Sequence, residues 1–240
     1  MNQFWSEDVG FISPFDLQHL FYIAIVVALL LLLHTNRDNV RKNGRRIGIG
    51  ILIVSLSQQI MLYSWYGLET GFDIGESLPL HISRVTSLLG IYFLLTRNEK
   101  VLDIIFYFSL FAYGSFLYPQ RVYPITHIIG ISFLVNHAIT ILLPYYGYIA
   151  YRWRPNRKGF VRAYTIFLTY FFFVYFLNPL IDGNYFYLKY RPFFSEWPDY
   201  LYVPSVLIVT LVGFYAAYRV VTRKEKKYEA LLDQYKKCSS

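Results

Sequence analysis

One cysteine, two methionines and a charged fraction of only 16% set this 240-residue chain apart by what it lacks. Cys238 has no second thiol to meet, so an intramolecular disulfide and a cysteine-based metal cluster are both excluded. Only Ser239 and Ser240 follow it, so the ending is not a prenylation box. No HExxH is present, no two His stand four residues apart, and no Gly-rich phosphate loop of either common type occurs. No Lys or Arg precedes the first apolar block. Glu7, Asp8 and Asp16 do, so that block does not read as a signal peptide. The last apolar block, YVPSVLIVTLVGFYAAYRVV, has no Lys to carry a retinal Schiff base.

What is present is apolar surface. Hydrophobic residues make up 55% of the chain and aromatics 20%, with a mean hydropathy of +0.35. A soluble domain would carry roughly 25% charged residues. The apolar residues come in long blocks rather than short alternating runs, which is the mark of a polytopic membrane protein. Blocks of about 20 residues predict an all-α fold of seven transmembrane helices, near 17–33, 47–66, 79–96, 101–118, 127–150, 161–180 and 201–220. The transmembrane domain then covers 1–222, and 223–240 form a basic tail.

Charge sets the expected direction. Nineteen of the 23 Lys and Arg fall in the first, third and fifth connections and in the tail, among them Arg37, Arg97, Arg152 and Lys224. The opposite side holds Arg121, Lys189 and Arg191. The positive-inside rule predicts an outer N-terminus and a cytoplasmic C-terminus. The +8 net charge therefore needs no nucleic acid; a basic inner rim against anionic headgroups accounts for it.

The polar residues inside the spans fall at one height. Counting up from the cytoplasmic ends at ~1.5 Å per residue, Gln58 and Gln59 lie roughly 18–20 Å above Arg46, and Arg84 about 20 Å above Arg97. His81 lies about 24 Å above Arg97, His137 about 22 Å above Arg152 and Asn178 about 24 Å above Arg162. That is a layer in the outer half of a ~30 Å core. His81 and Arg84, three apart in LPLHISRVTSLLG (78–90), share a face. His137 stands on a stripe of the fifth span with Gly130, Leu134 and Ile141, and His127 lies near its outer end. Intramembrane ionisable groups are functional candidates by default. Taken one at a time, each Gln, Asn or His also reads as interhelical packing. His81, His127 and His137 together contain the donors for a metal, but their spacing does not favour one, and no cofactor is predicted.

Three stretches carry a family resemblance: SLPLHISRVTSLLG, GSFLYPQRVYPITHIIGISFLVNHAITILLPYY and DGNYFYL. Together they resemble the YwaF family of seven-span bacterial membrane proteins, over roughly residues 15 to 220. The matching positions are Leu78 to His81, Pro119 and Pro124, His127 and His137, and Asn184 to Leu188 with Tyr185 among them. That family is similar to a eukaryotic transmembrane phospholipid acyltransferase thought to use an intramembrane Cys and His. The Cys position corresponds here to Ser83, a weaker nucleophile at neutral pH unless a base adjoins it.

Two readings follow. The first is a lipid-modifying enzyme of the bacterial plasma membrane, with acyl transfer as the expected chemistry. His137 would be the general base, with Ser83 and His81 as further catalytic candidates. Arg84, Gln58, His127, Asn178 and Tyr185 would contact an outer-leaflet phospholipid or glycolipid, and Arg121, Lys189 and Arg191 would steer its headgroup. The second reading is a non-enzymatic protein that binds a lipid, a small molecule or a protein partner. Transport is a weaker third, since no inverted repeat is evident.

The predicted topology is open to a direct check. Cys238, the sole thiol, should react with a membrane-impermeant maleimide only after cells are lysed, and labelling of intact cells would reverse the assignment.

Overall fold

The computed structural model describes residues 3–238, with side chains through Arg223. Its helices are α1 (Leu17–Thr35), α2 (Arg37–Leu68), the single turn α3 (Ile74–Ser77), α4 (Ile82–Thr96), α5 (Glu99–Leu117), α6 (Ile128–Ala150), α7 (Arg157–Ile181) and α8 (Asp199–Cys238). A 3-10 turn, Tyr185–Tyr187, lies between α7 and α8. No strand occurs among the described residues. The end of the bundle that carries the N-terminus is called upper here, and the Lys/Arg-rich end lower.

Six helices are long and apolar enough to cross a membrane: α1, α2, α5, α6, α7 and the Asp199–Arg223 part of α8. The expected third span differs. Hydropathy places it at 79–96, but α4 has only 15 residues, about 22 Å of helix at ~1.5 Å per residue. Pro79 is the reason. It holds Leu78 extended, at ψ 152°, and the chain turns helical only after His81, which is itself extended at ψ 136°. Elsewhere the expected blocks lie within helices, save for one residue at the end of α5 and one at the start of α6, and α2 and α8 run well past theirs.

Local chemistry sets the helix ends. Asp16, Asn98 and Asn156 accept backbone N–H groups in the first turns of α1, α5 and α7. Asp73 does the same for α3. The left-handed residues Arg97 and Asp182 close α4 and α7.

α6 is the hub. It packs against α2, α4, α5 and α1, while α5 carries the bundle on to α7 and α8. Small residues allow the closest approach. Gly44 faces Ala150 and Gly48 faces Tyr146, whose hydroxyl donates to the Gly44 carbonyl at 2.6 Å. This Gly44–Gly48 pair is a small-xxx-small contact of the kind that joins helices in lipid. At the lower end buried Asp103 accepts from Trp153 Nε1 at 3.1 Å and pairs with Arg162, tying α5 to α7. A Phe- and Tyr-rich core that includes Tyr107, Phe108, Phe167, Phe171 and Phe214 fills the space between α5, α7 and α8.

The periphery is apolar as well. Leu31, Leu32, Ile53, Ile60, Phe176 and Val209 are all more than half exposed. In water so broad an apolar surface would drive association. Against hydrocarbon it is the ordinary exterior of a helical bundle, whose backbone groups pair largely within the helices.

Gly130 tests the tight packing at the top of α6. A methyl there would overlap the Pro124 carbonyl and lie 2.6 Å from the Tyr22 hydroxyl, whereas Gly114 has open space. Gly130→Ala should cost about 1–3 kcal/mol, read as a melting point lower by several degrees, while Gly114→Ala leaves it unchanged or raised.

Candidate functional site

The polar layer expected from the sequence lies where α2, α4 and α6 meet. Four side chains form a hydrogen-bonded chain across this junction. Gln59 Nε2 donates to Ser87 Oγ of α4 at 3.0 Å and to Gln58 Oε1 at 2.7 Å, and Gln58 Nε2 donates to Ser132 Oγ of α6 at 2.7 Å. The chain links three helices through neutral groups.

Arg84 stands one turn above Ser87 and is 8% exposed. Its Nη1 donates to the carbonyls of Glu76 at 2.6 Å and Leu78 at 3.1 Å. Nη2 donates to the Tyr66 hydroxyl and lies 3.9 Å from Glu76 Oε1. The guanidinium also stacks over the Tyr66 ring at 4.8 Å. Arg84 thus points up into the bundle, and the protein itself uses most of its donors.

Asn178 and Tyr185 belong to the same upper wall. Asn178 Nδ2 donates to the Tyr185 carbonyl at 2.9 Å, and its Oδ1 accepts from Tyr185 N at 3.0 Å. The Tyr185 hydroxyl accepts from Leu78 N at 3.0 Å and donates to the Ile74 carbonyl at 2.6 Å. Both residues hold the 74–81 segment in place, and their polar groups are committed to main chain. His127 is likewise engaged. It caps α6 by accepting from Ile129 N at 3.2 Å, and its Nε2 donates to the Ser6 carbonyl at 3.0 Å. With Trp65 Nε1, which donates to the Trp5 carbonyl at 2.6 Å, it pins the N-terminal segment across the top of α2 and α6.

His137 and His81 are placed differently. His137 is 7% exposed and wedged between Phe133 and Phe116. Its Nδ1 lies 2.8 Å from the Phe133 carbonyl. A carbonyl only accepts, so Nδ1 carries the proton and Nε2 keeps a free lone pair. His81 lies edge-on to Tyr185 at 5.0 Å, with Nε2 3.4 Å from Glu76 Oε1 but in no aligned hydrogen bond.

Ser83 is partly buried. It shares a stripe of α4 with Ser87 and Gly90. Ser87 meets Gln59, and Gly90 lies against the Leu143 side chain of α6. α4 and α6 run parallel, so two turns above that contact Ser83 stands near the height of Asn136 and His137.

Gln58 and Arg84 thus lie at the three-helix junction, His81 stands at the start of α4 beside Glu76 and Tyr185, and His137 packs between Phe133 of α6 and Phe116 of α5, while His127, Asn178 and Tyr185 fasten the upper cover. Among the described residues no three His, Cys, Asp or Glu are grouped to hold a metal ion. The sequence reasoning missed Glu76, Tyr66, Ser87 and Ser132. Glu76 was signalled by the acidic stretch ETGFDIGES just before the Leu-Pro-Leu-His block. Tyr66 and the serines gave no signal, because a Tyr near a membrane interface and a Ser in a span are common.

The arrangement defines a class: a multi-pass, all-helical integral membrane protein with a polar site enclosed by α2, α4 and α6. The chain belongs to the TMEM164 family, whose sequence pattern matches residues 13–218. An uncharacterized protein of Treponema pallidum (strain Nichols) is 25% identical over 220 residues, which cover 85% of this chain and 90% of that one. No solved structure matches.

Glu76 makes the upper wall sensitive to acid. Burial pushes its carboxyl up, but the nearby His81 ring and Arg84 guanidinium outweigh this and hold it below the usual carboxylate value of 4.5. A depressed carboxylate contributes stability that is present above its unfolded value and lost as pH falls through its folded one. The melting point should therefore drop on acidification below about pH 4.5, and Glu76→Gln should flatten that limb in thermal scans.

Proposed function

We propose that this protein is a lipid-modifying membrane enzyme of the acyl-transfer type, with seven spans, an outer N-terminus and a cytoplasmic C-terminus, in the plasma membrane of a bacterium. The observation that carries the reading is the free Nε2 lone pair of His137, fixed by the Phe133 carbonyl on a buried ring held between Phe116 and Phe133. A neutral, oriented imidazole is what a general base requires. The motif resemblance to the YwaF proteins, and through them to a phospholipid acyltransferase, supports the same chemistry. The topology rests on the charge asymmetry.

Two routes fit His137. In one, His137 Nε2 takes the Ser83 hydroxyl proton as Ser83 Oγ attacks the ester carbonyl of an acyl donor. The departing alkoxide collects that proton, and an acceptor hydroxyl then displaces the acyl group from Ser83 with His137 as base again. In the other, His137 activates the acceptor hydroxyl directly, and Ser83 only lines the site. Arg84 is a positioning residue in both, because its Nη1 donors hold the Glu76 and Leu78 carbonyls. His81, at the N-terminal end of α4 beside Glu76, would be a second proton carrier. The outer cations Arg121, Lys189 and Arg191 would draw an anionic headgroup towards it.

A second reading, a lipid- or protein-binding role without chemistry, is favoured by the number of polar groups committed to closing the upper end. His127, Asn178 and Tyr185 all serve that closure.

Lipid profiles of a deletion strain complemented with each variant separate these cases. His137→Ala should abolish turnover, a loss of at least about 100-fold for a general base. Ser83→Ala should be equally dead and Ser83→Cys active under the covalent route, whereas Ser83→Ala keeps most of its rate under the direct one. A profile unchanged on deletion, in cells that express the protein, would leave the binding role.

A further inference from the structure

A cavity of about 530 Å³ lies between α1, the lower half of α2 and the middle of α6. Every residue that lines it is Gly, Ala, Val, Leu or Ile. α6 supplies its buried side at Ala138, and α1 a flank at Leu29. α2 supplies its open side, since Gly50 and Val54 line it and are still exposed. A side chain begun at Gly50 would meet no atom within 4 Å. The cavity is therefore a groove that opens to the exterior.

What lies outside it is hydrocarbon, because α1, α2 and α6 are each long and apolar enough to cross a membrane. An apolar void left unfilled forfeits its dispersion contacts, and a bilayer acyl chain can enter from the side. A protein helix fits less well. From Ile47 to Val54 the groove runs about 10 Å along α2, and a helix 10–12 Å wide takes up ~1,000 Å³ over that length. That is about twice the 530 Å³ of the groove.

The foot of the groove is polar and cationic. Arg46 precedes Gly50 by four residues on a regular stretch of α2, so it stands one turn lower at the groove's outer rim. It is exposed, and among the described residues it has no ion pair or hydrogen bond. Asp38, the one acidic residue of α2, already pairs with Arg41 at 3.8 Å. Tyr146 of α6 reaches both Gly44 and Gly48, which sets Arg46 at its height. Beside it, Tyr145 Oη and His34 Nδ1 join α6 to α1 at 2.5 Å. Apolar lining thus gives way to polar groups on all three helices. We propose that the groove holds one acyl chain of an anionic phospholipid of the lower leaflet, with its phosphate against Arg46. His137 does not line this groove, so the site is independent of the acyl-transfer reading and would hold in a binding protein as well.

Thermal unfolding of the purified full-length protein in a neutral detergent, with added phosphatidylglycerol or phosphatidylcholine of the same chains, tests it. Phosphatidylglycerol should raise the midpoint saturably, by about 3–5 °C at roughly tenfold excess over its dissociation constant. Phosphatidylcholine should need at least about tenfold more for the same rise. Gly50→Leu, which fills the groove from its open side, should remove both responses. Arg46→Ala should erase the preference between the two lipids. The lipid-free midpoint of each variant reports its folding separately. Wild-type midpoints unmoved by phosphatidylglycerol would overturn the site, and a response kept by Gly50→Leu would overturn its location. A preference that survives in Arg46→Ala would overturn the headgroup contact. A Gly50→Leu variant that loses self-association yet keeps the lipid response would give the groove to a second copy of the chain instead.

Discussion

The buried guanidinium of Arg84 is the point from which the upper half of the molecule is organised. A charge in an apolar interior must have its donors matched, because an uncompensated one costs several kcal/mol. Arg84 finds its partners in the carbonyls of Glu76 and Leu78, the Tyr66 hydroxyl and the Glu76 carboxylate. Those contacts draw the 78–81 turn down onto the bundle. Tyr185 grips the same segment from the α7 side, and Asn178 grips Tyr185. One side chain on α4 thereby fixes the wall beneath which Ser83 and His81 stand.

α6 supplies the other half of the site, and its neighbours explain why it can. Small residues bring α2 against its lower half, and the Gln58–Ser132 bond joins the two higher up. In lipid no hydrophobic force separates one helix from another, so close packing and interhelical hydrogen bonds must hold them. The same packing leaves His137 between two phenyl rings with one nitrogen anchored and one free. Rigidity around a single unsatisfied lone pair is what sets this histidine apart from His127 and His19, whose two nitrogens are both engaged.

The apolar exterior and the polar junction meet different demands. Residues such as Leu31, Ile60 and Val209 face outward, where only hydrocarbon suits them. The junction lies where three helices exclude lipid, so Gln58, Gln59, Ser87 and Ser132 can satisfy one another there. Membrane depth alone would allow many of these groups to serve as interhelical packing. Their convergence on α2, α4 and α6 is what makes the site a candidate for chemistry.

Long apolar blocks and their Lys/Arg flanks were enough to read an all-helical membrane protein and most helix positions, because one-dimensional hydrophobicity governs insertion. The polar interruptions Gln58, His81, Arg84 and His137 in or beside the apolar blocks were legible for the same reason, and a fixed rise per residue placed them at similar expected heights. The late start of α4 depended on how the chain after Pro79 docks, which hydropathy does not record. Nor could height say which way a side chain points. Asn178 and His127 stand near the expected level, yet their polar atoms turn to the backbone of Tyr185 and Ser6. Rotation and register of each helix are set by contacts between residues far apart in the chain, such as Gly48 with Tyr146 and Arg84 with Tyr66. Composition and helical rise therefore determined the membrane class and the depth of the polar layer, while only tertiary packing decided which of its members face one another and which of them close the lid above.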